Sequence, residues 1–209
     1  MGFEQERAAM VEHQLRRRGI ADSRVLAAMG EVPREAFLSD AHKREAYVDG
    51  ALPLSHGQTI SQPLMVAMSV EALQLTGDET VLEVGAGSGY QAAILSKLAK
   101  KVYAIEIIPE LVVGARRVLG SLGIDNVEII CADGRRGWPE GAPYDGIVVA
   151  AAAEEVPAPL VEQLKEGGRL VIPVGGRWGQ SLQISRKHGD DLDTQELCGC
   201  VFVPLVYGS

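Results

Sequence analysis

A glycine-rich loop between an apolar strand and a helix constrains this chain more than any other stretch. Val81, Leu82 and Val84 form a short apolar run that is typical of a buried strand. Residues 85–89, Gly-Ala-Gly-Ser-Gly, follow directly, and from Tyr90 onward the apolar residues have helical spacing. Glycines let the backbone adopt positive φ and approach a ligand closely. A strand, a glycine loop and a helix in this order predict the first unit of a nucleotide-binding α/β sheet.

The spacing of the glycines distinguishes between two kinds of ligand. A dinucleotide fingerprint reads G-x-G-x-x-G, and its pyrophosphate sits at the helix N-terminus. Here the loop reads G-x-G-x-G, and Tyr90 occupies the position of the third glycine. Glu83 lies two residues before the loop, where a carboxylate would repel a pyrophosphate but suit a ligand with an ammonium and a sulfonium group. The loop therefore favours S-adenosylmethionine (AdoMet), although taken alone it also fits a plain turn.

Composition excludes several classes of function. The formal net charge of −8 disfavours non-specific nucleic-acid binding, because no excess positive charge displaces the counterions of the phosphates. We expect no membrane partner and no signal peptide, since no apolar run approaches the roughly 20 residues of a membrane span. The odd number of cysteines indicates a reducing cytoplasm. Cys198 and Cys200 have no further ligands nearby in sequence, so we expect no metal site. We also expect a monomer.

The chain opens with short helices. Residues 4–18 have helical spacing and end at Gly19, and Asp22 is placed to cap a second helix. A loop rich in hydroxyl and amide groups follows over residues 49–62, and Ser61 is placed to cap the next helix. Residues 1–62 are thus predicted to form a helical extension and a substrate-side loop.

From residue 63 onward, helices alternate with strands in a pattern that predicts a parallel sheet covered on both faces. The predicted strands after the glycine loop lie at residues 102–106, 127–130, 145–150 and 169–173. The tail differs, because Ser181–Arg186 and Leu197–Val206 have no helix between them and predict an antiparallel pair. We therefore expect residues 1–209 to form a single domain, with the cofactor-binding sheet and C-terminal strands in residues 63–209.

Acidic residues follow the predicted strands at one edge of the sheet. Ligands of open α/β sheets lie beyond the carboxyl ends of the strands. Glu106 ends the second of these strands and can accept both hydrogen bonds of a ribose diol. Asp133 follows the third strand, where an adenine amino group is expected. Three converging carboxylates, counting Glu83, suit a cationic cofactor better than a phosphate.

The residues that the sequence lacks indicate which chemical group accepts the methyl group of AdoMet. No histidine or lysine is placed for general-base work, and His56 is interpreted as a loop hydrogen-bonder. An amine or hydroxyl acceptor must lose a proton to become a good nucleophile, whereas a carboxylate is already ionised at pH 7. The hydroxyls of Thr59 and Ser61, close to a helix N-terminus, suit such an anion. We weigh this role for Ser61 evenly against helix capping alone.

Matching stretches along nearly the whole chain resemble the protein-L-isoaspartate (D-aspartate) O-methyltransferase family, especially its bacterial form. The glycine loop alone indicates only a methyltransferase, whereas the Gly-Gln-Thr-Ile-Ser-Gln-Pro loop and the closing Phe-Val-Pro-Leu are specific to this family. The matching stretches are Val32–Phe37, Leu52–Pro63, Val81–Gln91, Ala132–Gly134, Tyr144–Val149, Gly167–Gly175 and Phe202–Leu205.

The resemblance implies a doubly wound, mostly parallel seven-stranded sheet of the class I AdoMet-dependent methyltransferase type (Rossmann-like). It also implies an enzyme that esterifies the free α-carboxylate of isoaspartyl residues in damaged proteins and peptides, with AdoMet as methyl donor and S-adenosylhomocysteine as product. Ser61 matches the residue usually taken as the active-site serine. The expected cofactor-binding residues are Thr59, Ile60, Glu83, Gly85, Ala86, Gly87, Ser88, Glu106, Ile107, Asp133, Gly134 and Gln180.

The sequence departs from the family pattern at Ala86, Ala132 and Ala150, where Thr, Gly and Thr are common. Each change removes a hydroxyl or adds a methyl group near the expected crevice. We expect AdoMet binding to survive these changes. Two alternatives stay open: an AdoMet methyltransferase for another carboxylate or other acceptor, and a degenerate AdoMet-binding module without turnover. A nicotinamide oxidoreductase is disfavoured by Tyr90 and by the acidic crevice.

Overall fold

The computed structural model describes residues 2–176 and 179–206. Residue 1, residues 177–178 and residues 207–209, which include both ends of the predicted domain, lie outside the described residues. The helices are α1 (Phe3–Met10), α2 (Ser23–Glu31), α3 (Pro63–Ala72), α4 (Tyr90–Ser96), α5 (Pro109–Ser121) and α6 (Ala158–Glu162). The strands are β1 (Leu52–Pro53), β2 (Thr59–Ile60), β3 (Thr80–Val84), β4 (Lys101–Glu106), β5 (Val127–Cys131), β6 (Tyr144–Val149), β7 (Leu164–Gly176), β8 (Gly179–His188) and β9 (Asp191–Cys200).

Seven strands form one twisted sheet in the order β5-β4-β3-β6-β7-β8-β9. The five strands from β3 to β7 pair in parallel, and β8 and β9 pair antiparallel at one edge. The remaining strands, β1 and β2, form a separate antiparallel pair. This topology confirms the predicted mostly parallel, seven-stranded fold of the class I methyltransferase type.

Side chains alternate between the two faces of the central strands, and both faces are buried. On β3, Val81 belongs to the apolar cluster shared with α3, α4 and α5, whereas Leu82 and Val84 belong to the cluster shared with α6. Each of these three side chains is fully buried. Helices on both faces explain why the parallel strands read as continuous apolar runs.

The N-terminal extension packs on the same face as α3, α4 and α5. The predicted cap of α2 is confirmed, because the side chain of Asp22 accepts a hydrogen bond from Arg24 N–H at 2.8 Å. The fully buried Arg34 donates from Nε to the carbonyl of Ala46 at 2.8 Å and lies 5.0 Å from the ring centroid of Tyr90. This side chain joins the segment before the substrate-side loop to the first residue of α4.

The structure corrects two expectations about local elements. The last strand is Asp191–Cys200, whereas we expected Leu197–Val206. After Cys200 the chain leaves β8 and runs beside residue 152, where Ala152 N–H donates to the Val203 carbonyl and Leu205 N–H donates to the Ala152 carbonyl, which gives an isolated bridge at Pro204. The predicted first helix over residues 4–18 becomes α1, a π turn (Val11–Leu15) and a 3-10 turn (Arg16–Arg18).

No helix within the described ranges is both long and apolar enough to cross a membrane.

Candidate functional site

The candidate site lies at the carboxyl ends of β3 and β6, where the strand order reverses. The loop after β3 has positive φ at Gly85, Gly87 and Gly89, with values of 88°, 54° and 86°. Residues with a Cβ rarely adopt this region. Gly85 also packs on Ala150, because an added Cβ would lie 3.7 Å from the Ala150 carbonyl carbon. The predicted need for glycine in this loop is confirmed.

Glu106 ends β4 and joins that strand to the glycine loop. One carboxylate oxygen accepts a hydrogen bond from Gly87 N–H at 2.8 Å, and the other accepts from Ile108 N–H at 2.9 Å. Each oxygen retains capacity for a further donor. Glu106 is buried and lines a narrow crevice together with Gly85 and Ile107. Its carboxylate is therefore held ready to accept hydrogen bonds from a ligand in this crevice.

Gly134 forms the adjoining wall after β5, and Asp133 precedes it in the same turn. Asp133 Oδ1 accepts from Arg135 N–H at 3.0 Å and so caps a short 3-10 turn. Gly134 lines the crevice, and a Cβ built on it would lie 2.4 Å from Val84 Cγ1. Only glycine lets this backbone rest on the end of β3, so the shape of the crevice depends on Gly134.

Two other segments cover the crevice. Gln58 lines it from the loop before β2, and residues 204–206 line it from the C-terminal segment. The enclosed volume is about 40 Å³, whereas small-molecule sites typically enclose roughly 300–1,000 Å³. Ala152 holds the covering segment, because its N–H donates to the Val203 carbonyl and its carbonyl accepts from Leu205 N–H, both at 2.8 Å. The crevice is therefore smaller than a nucleoside in this structure.

Glu83 lies beneath the glycine loop rather than in the crevice. Its side chain is fully buried, and Oε1 accepts a hydrogen bond from Gln91 Nε2 at 3.1 Å. Oε2 has no hydrogen-bond partner within the described part of the chain. Burial raises the pKa of Glu83 to about 8, the bond from Gln91 opposes this rise, and the negative charge of Glu106 adds to it. Of the three carboxyl groups that we expected to converge on the crevice, Glu106 lines it, whereas Glu83 and Asp133 do not.

Thr59 and Ser61 lie in a second cavity of about 430 Å³. The side chains that line it carry hydroxyl, amide, thiol and apolar groups but no charge. Burial raises the pKa of the Cys200 thiol to about 11, so this thiol is neutral at physiological pH. The lining residues are Ala51, Thr59, Ser61, Gln62, Met65, Ala150, Gly199, Cys200, Val201, Phe202 and Val203.

The expectation that Ser61 caps α3 is wrong. The N-cap residue is Gln62, and its side chain makes no capping hydrogen bond. Pro63 at the first helical position has no N–H to satisfy, which reduces the need for a cap. The Ser61 hydroxyl is consequently available to a molecule in the second cavity.

Sequence reasoning missed Asp49, which fixes the residue next to Ser61. Asp49 Oδ1 accepts from Gln62 Nε2 at 2.6 Å, and Oδ2 accepts from Arg18 Nη1 at 2.7 Å. These two bonds join the start of the substrate-side loop to its end. No spacing or motif pointed to Asp49, because the contact spans a loop whose path the sequence does not specify.

The other predicted site residues are not all brought together. Gly87 and Ser88 line a third cavity of about 520 Å³ against α5, and Ala86 and Ile60 are buried. Gln180 lines neither the crevice nor the Ser61 cavity. Its amide instead accepts from Phe202 N–H at 2.6 Å and donates to the Phe202 carbonyl at 3.1 Å.

No group of three or more His, Cys, Asp or Glu residues that could hold a metal ion occurs in residues 2–176 and 179–206.

Comparison with known proteins decides the family. The family description "Protein-L-isoaspartate(D-aspartate) O-methyltransferase (PCMT)" matches residues 5–209. The chain belongs to this family. A PCMT relative, the protein-L-isoaspartate O-methyltransferase of Roseiflexus castenholzii, is 52% identical over 208 residues, covering 100% of this chain and 95% of the relative. The protein-L-isoaspartate O-methyltransferase 2 of Pelobacter propionicus is 54% identical over 205 residues, covering 97% and 91%.

Solved structures of PCMT proteins have the same fold. A structure described as protein-L-isoaspartate O-methyltransferase superposes with a TM-score of 0.88 at 31% identity, covering 97% of this chain and 66% of that longer chain. A putative Plasmodium falciparum PCMT in complex with S-adenosyl-L-homocysteine superposes with a TM-score of 0.82 at 29% identity, covering 96% and 98%. The PCMT fold therefore extends over nearly all of this chain.

We predict that Gly134→Ala destabilises the protein by about 1–3 kcal/mol, since the added methyl group overpacks against Val84. Urea unfolding followed by circular dichroism measures the change. Gly120→Ala is the matched control, because nothing lies within 4 Å of its added Cβ and alanine favours a helix over glycine. Equal stability of Gly134→Ala and the wild type would contradict the close approach described above.

The raised pKa of Glu83 predicts a pH dependence of stability. The folded state holds this proton up to about pH 8, whereas the unfolded carboxyl loses it near its ordinary value of 4.5. The unfolding free energy therefore falls as pH rises between these values, by at most about 1.4 kcal/mol per pH unit. Glu83→Gln should remove this slope, so the variant gains stability over the wild type as pH rises.

The exposed Glu128→Gln serves as the control for urea titrations at pH 5, 6.5 and 8. A constant difference between Glu83→Gln and the wild type over this range would refute the linkage.

Proposed function

We propose that this chain is a protein-repair methyltransferase that transfers a methyl group from AdoMet to the free α-carboxylate of L-isoaspartyl residues in proteins and peptides. The observation that carries this proposal is the adjacency of a crevice lined by the Glu106 carboxylate and an uncharged, hydroxyl-lined cavity. Gln58 and Ala151 line the crevice, and their chain neighbours Thr59 and Ala150 line the cavity. A methyl donor in the crevice and an acceptor in the cavity would therefore lie next to each other, separated by these neighbouring residues.

On the donor side, the crevice residues suit AdoMet. Glu106 would accept hydrogen bonds from the ribose hydroxyls, and the turn at Asp133 and Gly134 would lie beside the adenine. The glycine loop, from Gly85 to Ser88, and Ile107 would surround the remainder of the molecule. When bound, AdoMet supplies an electrophilic methyl group on a positively charged sulfur.

On the acceptor side, the chain needs to orient an anion rather than remove a proton. The hydroxyls of Thr59 and Ser61 would donate hydrogen bonds to the substrate carboxylate, and Ile60 between them anchors β2 in the core. The carboxylate oxygen then attacks in line, an O–CH₃ bond forms, and the departing S–CH₃ electron pair converts sulfonium to thioether. Positioning and exclusion of water are the main contributions of the protein.

A repair role follows from the chemistry of the product. The carbonyl of a methyl ester is a better electrophile than a carboxylate, because methoxide can leave it. The neighbouring peptide nitrogen can therefore attack this carbonyl and form a succinimide, and the C–OCH₃ bond breaks as methanol departs with the nitrogen's proton. Hydrolysis of the succinimide reopens part of it to normal aspartate. We further propose that the whole chain is one methyltransferase domain, active as a monomer in the cytoplasm.

We predict that tritium passes from [methyl-³H]AdoMet to a peptide containing isoaspartate, and that the same peptide with normal aspartate gains little label. The physical reason is that the main chain of an isoaspartyl residue runs through the β-carboxyl group and leaves the α-carboxylate free, whereas normal aspartate has a free β-carboxylate. Equal labelling of both peptides would favour another carboxylate acceptor. AdoMet binding without labelling of either would indicate a module that has lost turnover.

We predict that Ser61→Ala lowers kcat/KM for the isoaspartyl peptide about 10–100-fold, the effect of removing one hydrogen bond to a charged group. Calorimetry should find AdoMet affinity within twofold of wild type, since Ser61 lies outside the crevice. Ser121→Ala, at the exposed end of α5, is the matched control. Unchanged kcat/KM in Ser61→Ala would remove this serine from the acceptor site.

A further inference from the structure

The proposed roles leave one buried ionisable group without a function. Glu83 lines neither the crevice nor the second cavity, and its side chain is fully buried. Apart from the bond from Gln91 to Oε1, the carboxyl has no hydrogen-bond partner in the described ranges. An acid that only stabilised the fold would be expected to use both oxygens. Glu83 is therefore a buried ionisable group with one oxygen that no described residue occupies.

Glu83 interacts electrostatically with a residue that lines the crevice. Across the sheet it pairs in register with Ala104 on β4 and with Val148 on β6, and Gln91 faces it from α4. Within the described residues, the ionisable group that acts on it is Glu106. Glu106 lies two residues after Ala104, the register partner of Glu83 on β4, and therefore on the same face of the sheet. Because Glu106 lines the crevice, a charge placed in the crevice acts on Glu83 across one neighbouring strand.

The sign of this coupling is fixed by elementary electrostatics. The negative charge of Glu106 disfavours ionisation of Glu83, and a positive charge held in the crevice must favour it. AdoMet and its product S-adenosylhomocysteine differ by the methyl group and by one positive charge on sulfur. Donor and product therefore act differently on Glu83 even if they make the same contacts.

We propose that Glu83 senses the charge of the cofactor: it releases a proton to solvent when AdoMet binds and regains one when the sulfur has lost its charge. This inference rests on the proposed function only in that AdoMet is the donor. By linkage, a ligand that drives off a proton binds more tightly as pH rises. Glu83 would thus favour the donor over the product, which assists product release.

Calorimetric titration of the full chain tests the proposal. AdoMet and S-adenosylhomocysteine are each titrated at pH 7 in phosphate and in Tris, whose ionisation enthalpies differ, so that the buffer dependence counts the protons released. We expect more proton release with AdoMet than with the product. We also expect the AdoMet dissociation constant to fall by up to tenfold per pH unit below pH 8, relative to that of the product.

Two variants separate Glu83 from other titrating groups. Glu83→Gln should abolish the difference in proton release between the two ligands, and Glu128→Gln, at an exposed position on β5, should retain it. The ligand amino and carboxyl groups titrate alike in the wild type and in Glu83→Gln, so their contribution cancels when the two proteins are compared. Equal proton release for both ligands in the wild type, or an unchanged difference in Glu83→Gln, would overturn the proposal.

A measurement on the wild type covers the case in which Glu83→Gln fails to fold. The infrared difference spectrum between the AdoMet complex and the S-adenosylhomocysteine complex should show loss of one protonated carboxyl band and gain of a carboxylate band. An unchanged carboxyl region would overturn the proposal. None of these readouts depends on turnover. If AdoMet binding is linked to proton release but no isoaspartyl peptide is labelled, the proposed function is refuted and the proposal for Glu83 is not.

Discussion

The carboxylate of Glu106, with one oxygen on Gly87 N–H and the other on Ile108 N–H, is the interaction on which the site depends. It closes the glycine loop onto β4 and holds the end of that strand against the start of α5. The glycine loop, the end of β4 and the start of α5 are thereby held in fixed positions by one side chain. A carboxylate is suited to this task because its two oxygens accept several donors at once.

A second set of contacts links the N-terminal extension to the loop that carries Ser61 and to α4, independently of Glu106. Asp49 joins Arg18 in the N-terminal extension to Gln62 at the start of α3, and the buried Arg34 joins the same extension to Tyr90 at the start of α4. The extension thus contacts both α4 and the loop that carries Ser61. This explains why a helical segment too small for its own core precedes the sheet.

The sequence predicted those features that local chemistry dictates. Positive φ at Gly85, Gly87 and Gly89, the acid at the end of β4 and the parallel order of the strands all follow from glycine, strand-end and alternation rules. It did not predict contacts between distant segments, such as Gln180 on Phe202 or the covering of the crevice by residues 204–206. Those depend on the path of a terminal segment that is neither helix nor strand, for which residue periodicity carries no information.

The crevice and the Ser61 cavity differ in charge, and this difference bears on the rate of methyl transfer. Methyl transfer from a sulfonium to a carboxylate begins with two opposite charges and ends with none, so charge is dispersed in the transition state. A cavity without charged side chains, such as that around Ser61, solvates a full negative charge poorly and a dispersed one adequately. Hydroxyl donors are strong enough to orient the anion, whereas a lysine or arginine would stabilise the ground state more than the transition state. The uncharged lining of the Ser61 cavity is therefore as informative about the proposed reaction as the single carboxylate of Glu106 in the crevice.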